Sequence, residues 1–522
     1  MTNRSRFRVS LLFSSLITAL LMGLFLIVNP AEAAVFTVNT CTEAAFIAEF
    51  NNAVANPGLD EIRFGCGGVL NIAAEFVVAD DLVIDANGFN VTFDGGSATR
   101  FFTLNAGTTL TVNGIAFTNG FTPTDAGVVD NTAGGTLNIN NASFSLNRAG
   151  NDGGAIVNGG ILTINNSTFD QNTATNFGGA IDNFSTLTIN NTTFSGNDAF
   201  LGGAILSGGS LLISGTTFSG GLANLGGAIY GLGAMTVDNS TCYNNRALNM
   251  GGCIYHVGGI TTFTHTTIAN NVAPGGANAL GIPGGSFTLT NSIVTSDCTG
   301  TINDGGGNIA FNAAGCPGLN VDPMLRPFGN YGGGTASLPP SAGSPALNSA
   351  PDCGSLAVDQ FGNPRPQGGV CDIGSVELMI NAATGEVIEP AIPSIPRLNE
   401  WNAEYQEETR AHAWGIPDDV YGTVHMENGA WQYNPGGVPI ELVDYGVLLA
   451  VDVWIQQPDG QTQFNFGGYQ RLCLQGQGRM IFMDATQSPR TMTEILPVDF
   501  EGGYTCGWIP NAGTVILIRL GE

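Results

Sequence analysis

Gly153-Gly154-Ala155-Ile156 recurs as Gly178-Gly179-Ala180-Ile181, Gly202-Gly203-Ala204-Ile205, Gly226-Gly227-Ala228-Ile229 and Gly251-Gly252-Cys253-Ile254, with starts 25, 24, 24 and 25 residues apart. A period in this range marks a solenoid, whose units bury their apolar residues only by stacking on one another. Each tetrapeptide leads into a short alternating segment: Leu162-Thr163-Ile164, Leu187-Thr188-Ile189, Leu211-Leu212-Ile213, Met235-Thr236-Val237. Apolar residues flanking a central position give the period-two pattern of a half-buried strand. Asn165-Asn166 and Asn190-Asn191 follow, and asparagine tolerates left-handed backbone at a corner.

Two further columns complete the repeat. Phe169, Phe194 and Phe218 stand five residues after the last apolar strand position, and Phe144, Cys242, Ile268 and Val294 fill the same column in flanking units. Three residues later comes Asn147, Asn172, Asn197, Asn245 or Asn271. Stacked asparagines can hydrogen-bond along a solenoid axis and satisfy buried turn backbone. With three strand-like stretches and three corners per unit, the repeat predicts an all-β chain folded as a right-handed parallel β-helix. A leucine-rich repeat fits poorly, because no helical segment accompanies the asparagines. The repeats are strongest over 137–294, with weaker rungs at Leu82-Val83-Ile84 and at Leu110-Thr111-Val112, the latter followed by Phe117. Thr42 to Asn56 reads as an amphipathic helix with Phe46, Ile47, Phe50 and Val54 on one face and a capping box at Thr40-Cys41-Thr42-Glu43. It is placed to cap the N-terminal end of the solenoid.

The chain has 522 residues, of which 75 are Gly, 43% are hydrophobic and only 11% are charged. Residues 1–33 have the layout of an export signal: Arg4, Arg6 and Arg8, an apolar run from Val9 to Val28, then Ala31-Glu32-Ala33 as a cleavage site. Cleavage would leave 12 Arg against 41 acids, a net charge near −29, and no Lys occurs anywhere. Such a surface cannot neutralise phosphates, so nucleic acid is excluded as a partner, and no membrane span is expected after cleavage.

Ten cysteines in an exported chain point to disulfides, and spacing suggests Cys41–Cys66, Cys242–Cys253, Cys298–Cys316, Cys353–Cys371 and Cys473–Cys506. Metal binding through them is the weaker expectation, since no C-x-x-C occurs and His numbers four.

The pair of signatures, Gly-Gly-Ala-Ile and Phe-x-x-Asn (Phe144 to Asn147, Phe169 to Asn172, Phe194 to Asn197), resembles the repeat of chlamydial polymorphic outer-membrane proteins. Phe218 departs from it, being followed by Gly221. The resemblance implies a surface-exposed passenger linked to adhesion; no counterpart of that family's C-terminal membrane barrel is expected here. A second resemblance covers 288–378. Asn291-Ser292-Ile293-Val294, Asp297-Cys298, Cys316, Val321-Asp322-Pro323, Asn330 to Thr335, Ser344-Pro345-Ala346-Leu347, Asp359-Gln360, Arg365-Pro366 and Cys371-Asp372-Ile373-Gly374 are similar to the "choice-of-anchor Q" region. That region closes many bacterial secreted β-helix proteins, and it implies export to the cell surface, outer membrane or medium.

The β-helix is thus expected over 34–378, followed by a proline-containing linker at 379–397 and a small β-sandwich-like domain over 398–522. All five Trp (Trp401, Trp414, Trp431, Trp454, Trp508) fall in that last part, where a core role is expected ahead of a sugar-binding one.

Chemistry is sparse in the repeats. Arg148 and Arg246 are the only Arg in the strong repeats and lie near no evident acidic cluster, Asp80-Asp81 reads as a corner, and His256 and His265 occupy asparagine columns. No catalytic, cofactor or metal site is therefore assigned. The position after each repeat's Ile (Val157, Asp182, Leu206, Tyr230, Tyr255) is expected to face outward, making Leu206, Tyr230 and Tyr255 the candidate ligand-facing residues for a surface glycan or protein. Thr163, Thr188 and Thr236 form a second outward column, interrupted by Leu212. The expected function is non-catalytic: adhesion or surface scaffolding. The alternatives are a polysaccharide lyase or glycoside hydrolase, whose groove must hold paired carboxylates, and carbohydrate binding through the Trp-rich C-terminal domain.

Overall fold

A computed structural model describes residues 33–326, 328–381 and 386–388, together with the backbone of eleven strands between 405 and 519. The expected export signal at 1–33, apart from Ala33, and most of the expected linker lie outside the described residues. The repeats form a parallel β-helix. A 20-stranded sheet runs its length, each turn contributing two strands separated by a bend, and an 11-stranded sheet lies on the other side of the core. Short ladders such as 121–122/148–149/173–174 and 222–225/246–250 form a third, narrow edge. A turn therefore has four short strands, one more than the repeat predicts. The additional one is the two- to five-residue arm that runs from the asparagine corner to the glycines.

The register is in phase from turn to turn. Leu137, Leu162, Leu187, Leu211 and Met235 pair in succession, as do Phe144, Phe169, Phe194, Phe218, Cys242, Ile268 and Val294. Phe117, Phe144, Phe169, Phe194 and Phe218 stack at centroid separations of 5.1, 4.5, 4.9 and 4.9 Å. They are at most 2% exposed. Such offset stacks add to the burial of the rings themselves.

Each glycine of the tetrapeptide has its own cause. The first is left-handed in all five repeats, at φ 60, 56, 67, 67 and 69°. The second is where backbones of adjacent turns meet: a Cβ on Gly154 would lie 2.0 Å from the carbonyl oxygen of Gly179, and one on Gly179 would lie 2.0 Å from that of Gly203. The Ala and Ile that follow are buried core.

The asparagines also divide by role. Asn166 and Asn191 take left-handed backbone, both at φ 49°, whereas their neighbours Asn165 and Asn190 remain in strand and form a half-buried amide ladder with Asn140 and Asn113 at 2.9–3.0 Å. A deeper ladder links Asn147 to Asn172 (2.9 Å) and Asn172 to Asn197 (3.0 Å), while their amides also donate to Phe117 and Phe144 carbonyls. Gly221 breaks this ladder, and Asn245 resumes it by accepting from the Gly221 N–H and donating to Asn271.

At the N-terminal end the helix spans Glu43–Ala55 and buries Phe46, Phe50 and Ala53 against the first rungs. The capping box is corrected: Thr42, not Thr40, is the N-cap, its hydroxyl accepting from the Ala45 N–H at 3.3 Å. Glu43 instead accepts from the backbone of Ala73 and Ala74, which ties the helix to the solenoid. The C-terminal strands form two antiparallel sheets, with 447–456, 478–484 and 513–519 adjoining in one and 465–475 beside 504–511 in the other.

Two predictions isolate the packing terms. Phe169→Ala should destabilise the protein by roughly 3–5 kcal/mol in equilibrium denaturation, through lost burial and a cavity in the stack. Gly179→Ala should abolish or severely weaken folding, whereas Gly208→Ala, whose Cβ would come no nearer than 3.8 Å to its neighbour, should change stability by about 1 kcal/mol or less. Equal losses at both glycines would contradict the close-approach account.

Candidate functional site

The arm of each turn leaves the second sheet after the buried asparagine and returns over the outer side of the long sheet. Along it, Asp152, Phe177, Leu201 and Leu225 bridge from turn to turn, with Asp125 preceding them by accepting from the Asp152 N–H at 3.3 Å. Beside this column runs the outward column of the long sheet: Asp130, Val157, Asp182, Leu206, Tyr230 and Tyr255. The strip along which the two columns meet, the notch, is acidic in its upstream turns and apolar and aromatic downstream.

This arrangement corrects the expected ligand-facing set. Val157, Asp182 and Leu206 point away from the central core but are only 2%, 0% and 4% exposed, because the arm lies on them. A Cβ on Gly153 would fall 2.6 Å from Val157 Cγ2, which shows how closely it is applied. Leu206 is therefore packing and not a ligand contact. Tyr230 and Tyr255 do keep part of their surface in solvent, and their rings stack at 5.6 Å with planes 26° apart. Burial, and Tyr255 alongside, raise the Tyr230 phenol above its ordinary pKa.

Upstream, the two columns place Asp125, Asp152 and Asp182 in neighbouring turns. No protein group hydrogen-bonds either carboxylate oxygen of Asp182, or Oδ1 of Asp152. Burial, reinforced by the charges of Asp152 and Asp125, pushes Asp182 up to about 8, and burial with Asp125 pushes Asp152 up to about 6. Asp152 Oδ2 and Asp125 Oδ1 share the amide of Asn151, at 3.0 and 2.6 Å. Arg100 pairs with Glu75 at 2.9 Å and with Asp130 of the outward column at 3.0 Å, and also donates to the Asp125 carbonyl at 3.0 Å. The sequence shows these acids only when two separate columns are aligned and then faced against each other. No linear motif joins Asp125, Asp152 and Asp182.

The other singled-out residues are structural. Asp80 accepts from Gly58 and Asp81 N–H groups, and Asp81 from Thr109, so the pair organises a corner. His256 is fully buried in the column of Asn131, Asn158, Asn183 and Ser207, with Nε2 3.1 Å from the Thr261 hydroxyl. His265 takes the left-handed corner of Asn166 and Asn191 at φ 49°, and burial beside Arg365 lowers it to about 3.

Disulfides join Cys41–Cys66, Cys242–Cys253, Cys298–Cys316 and Cys353–Cys371, the pairs that spacing suggests. Strand register sets Cys473 opposite Cys506, although their side chains lie outside the described residues, as do those of the five Trp.

The segment 335–377 is a strap over the downstream half of the second sheet. Gln360 donates to the Thr217 and Thr335 hydroxyls, both at 2.9 Å, and accepts from Thr241 at 2.6 Å. Behind it Arg365 and Glu377 form a fully buried ion pair at 2.9 Å, and Arg365 also donates to the Asp372 and Gly374 carbonyls. Burial raises Asp359, Asp372 and Glu377 above the usual carboxylate range. Asp359, Gln360, Arg365 and Asp372 thus work as a clasp.

The chain matches no protein-family model, no curated protein and no solved structure. Among the described residues no helix is long and apolar enough to cross a membrane.

The raised Asp182 gives a signed prediction. Its folded pKa of about 8 exceeds the unfolded value of roughly 3.9, so its neutral form favours folding below about pH 4. That advantage declines as pH rises and is lost as pH passes through about 8. Asp182→Asn should match the parent protein near pH 4 and exceed its stability by on the order of a few kcal/mol near pH 8. A constant difference across the range, measured by urea denaturation, would refute the assignment.

Proposed function

We propose that this is a secreted or cell-surface β-solenoid that acts in adhesion or surface scaffolding, meeting an extended glycan or protein along the notch. The observation that carries this is the stacked, partly exposed Tyr230–Tyr255 pair in an outward column whose members Val157, Asp182 and Leu206 are sealed by the arm. Paired aromatic faces suit sugar rings or apolar side chains, and the phenol edges supply hydrogen bonds. Four disulfides within the solenoid and its strap favour an oxidising compartment. The export-signal layout and the resemblance to surface-protein repeats agree with that placement.

A second reading, the polysaccharide-active enzyme, is favoured by one specific observation: Asp152 and Asp182 are electrostatically coupled carboxyls in the same notch, with pKa values raised to about 6 and about 8. Carboxyls tuned in this way are what general acid chemistry uses. Asp182, however, lies wholly beneath the arm, so substrate would first meet Asp152.

Binding of the purified protein to an array of surface glycans and to host-cell protein extracts tests the proposal, alongside protease shaving of intact cells. We expect the protein to be cleaved on intact cells, and binding to fall at least tenfold in the Tyr230→Ala/Tyr255→Ala double variant with the fold retained. Release of oligosaccharides from a glycan panel, abolished by Asp152→Asn, would replace adhesion with the enzymatic reading. Protection from protease on intact cells, with none shed to the medium, would remove both.

A further inference from the structure

Asp60 stands where the N-terminal cap joins the first rungs. It opens the strand Asp60–Phe64 and is only 1% exposed. Its Oδ1 accepts from the Ala34 backbone N–H and from the Asn56 side-chain amide, both at 2.8 Å, while Oδ2 meets no hydrogen-bond donor among the described residues. Asn56 is the C-cap of the helix, whose last turn carries no basic residue. A buried carboxylate held by neutral donors alone is costly, and a helix C-terminus favours a cation beside it. The neighbouring charges are otherwise engaged. Arg63 pairs with Glu61 at 2.8 Å, Asp80 accepts from the Gly58 and Asp81 N–H groups, and Asp81 accepts from that of Thr109. No Lys occurs in the chain.

One further cation belongs to this corner, the α-amino group that cleavage after Ala33 creates on Ala34. We propose that removal of the export segment delivers the α-ammonium of Ala34 to the Asp60 carboxylate, so that maturation of the chain locks the cap onto the solenoid. Hydrolysis of the Ala33–Ala34 peptide bond by a signal peptidase consumes one water and leaves a carboxylate on Ala33 and an ammonium on Ala34. That nitrogen already lies 2.8 Å from Oδ1, and it gains two N–H groups, one of which can serve Oδ2. Ala33 is exposed, whereas the Ala34 carbonyl accepts from the Glu61 N–H at 2.9 Å and Val35 pairs with Glu61 in the sheet. The new terminus is thus held in place independently of the residues removed. A charge-assisted bond replaces a neutral one, which is the stronger arrangement for a buried acid. The inference rests on the cleavage that belongs to the export reading and makes no use of adhesion.

The lack of Lys makes the test selective, because the α-amino group is then the sole primary amine of the cleaved chain. Mass spectrometry of the exported protein should find Ala34 as its first residue; an uncleaved chain or a different first residue would overturn the proposal at the cleavage step. On the chain that begins at Ala34, acylation by an N-hydroxysuccinimide ester is followed against pH. The folded protein should react at least tenfold more slowly than in urea, with an amine pKa above the ordinary value of about 7.7–8.0. Asp60→Asn should restore ordinary reactivity. So should a chain that retains Ala33, which keeps Asp60 but moves the amine one residue outward, and this chain decides the matter should Asp60→Asn fail to fold. Acylation should lower the melting temperature of the chain beginning at Ala34 and leave that of the Ala33 chain unchanged. Equal reactivity of the folded chains, with no loss of melting temperature on acylation, would overturn the pairing while leaving cleavage and export intact.

Discussion

Everything in this solenoid depends on how closely successive turns approach at the second glycine of the tetrapeptide. With a Cβ position only 2.0 Å from the next turn's carbonyl oxygen at Gly154 and Gly179, the backbone leaves no room for any other residue. That contact holds the turns at strand spacing, about 4.8 Å, and keeps them in register. Once the register is fixed, each residue type stands above its own kind. Phenylalanines stack, asparagine amides bond head to tail, and hydroxyls line up.

The same rule works against charge. Identical acids on successive turns would lie side by side, and like charges directly opposite in a sheet are destabilising. In the two solenoid sheets, every acid has a neutral or basic residue beside it in the ladder. Asp85 sits between Arg63 and Asn113, Asp94 between Asn71 and Thr118, and Asp170 between Ser145 and Ser195. Asp182 is separated from Asp130 in its own column by Val157. The arm is where the rule lapses, with Asp125 and Asp152 in hydrogen-bonded contact through backbone and Asn151. The low charged content of the repeats and the anomaly of the notch therefore have one origin.

This also marks how far the residues could be read in advance. Periodic features were legible because stacking copies them: the rung, the Phe column, the Asn ladder, the left-handed corners and the neighbouring disulfides. The displaced cap at Thr42 and the sealed state of Leu206 were not, since each depends on a contact between different parts of a turn. The arm lies over the outward column through backbone at Gly153 and Gly178, and backbone leaves no pattern in side-chain spacing. The acidic notch shared that fate, because its members come from two columns that face each other only after folding.

The strap shows how identical residues in one column acquire different roles. Thr168 is exposed on the second sheet, yet Thr217, Thr241 and Thr267, in the same column downstream, are at most 1% exposed. Their hydroxyls meet Ala336, Gln360, Ser337 and Ser375 of the strap in a network that leaves none of the three without a partner. A buried network of this kind tolerates little substitution, since each lost partner leaves a polar group unsatisfied at roughly 1–3 kcal/mol. The downstream half of that sheet is thereby committed to closure of the solenoid. The upstream Ser and Thr face of that sheet and the Tyr230–Tyr255 pair remain open to solvent. The notch presents Tyr230 and Tyr255 as a stacked pair that keeps part of its surface in solvent, which is why that end, and not the flat hydroxyl face, bears the functional proposal.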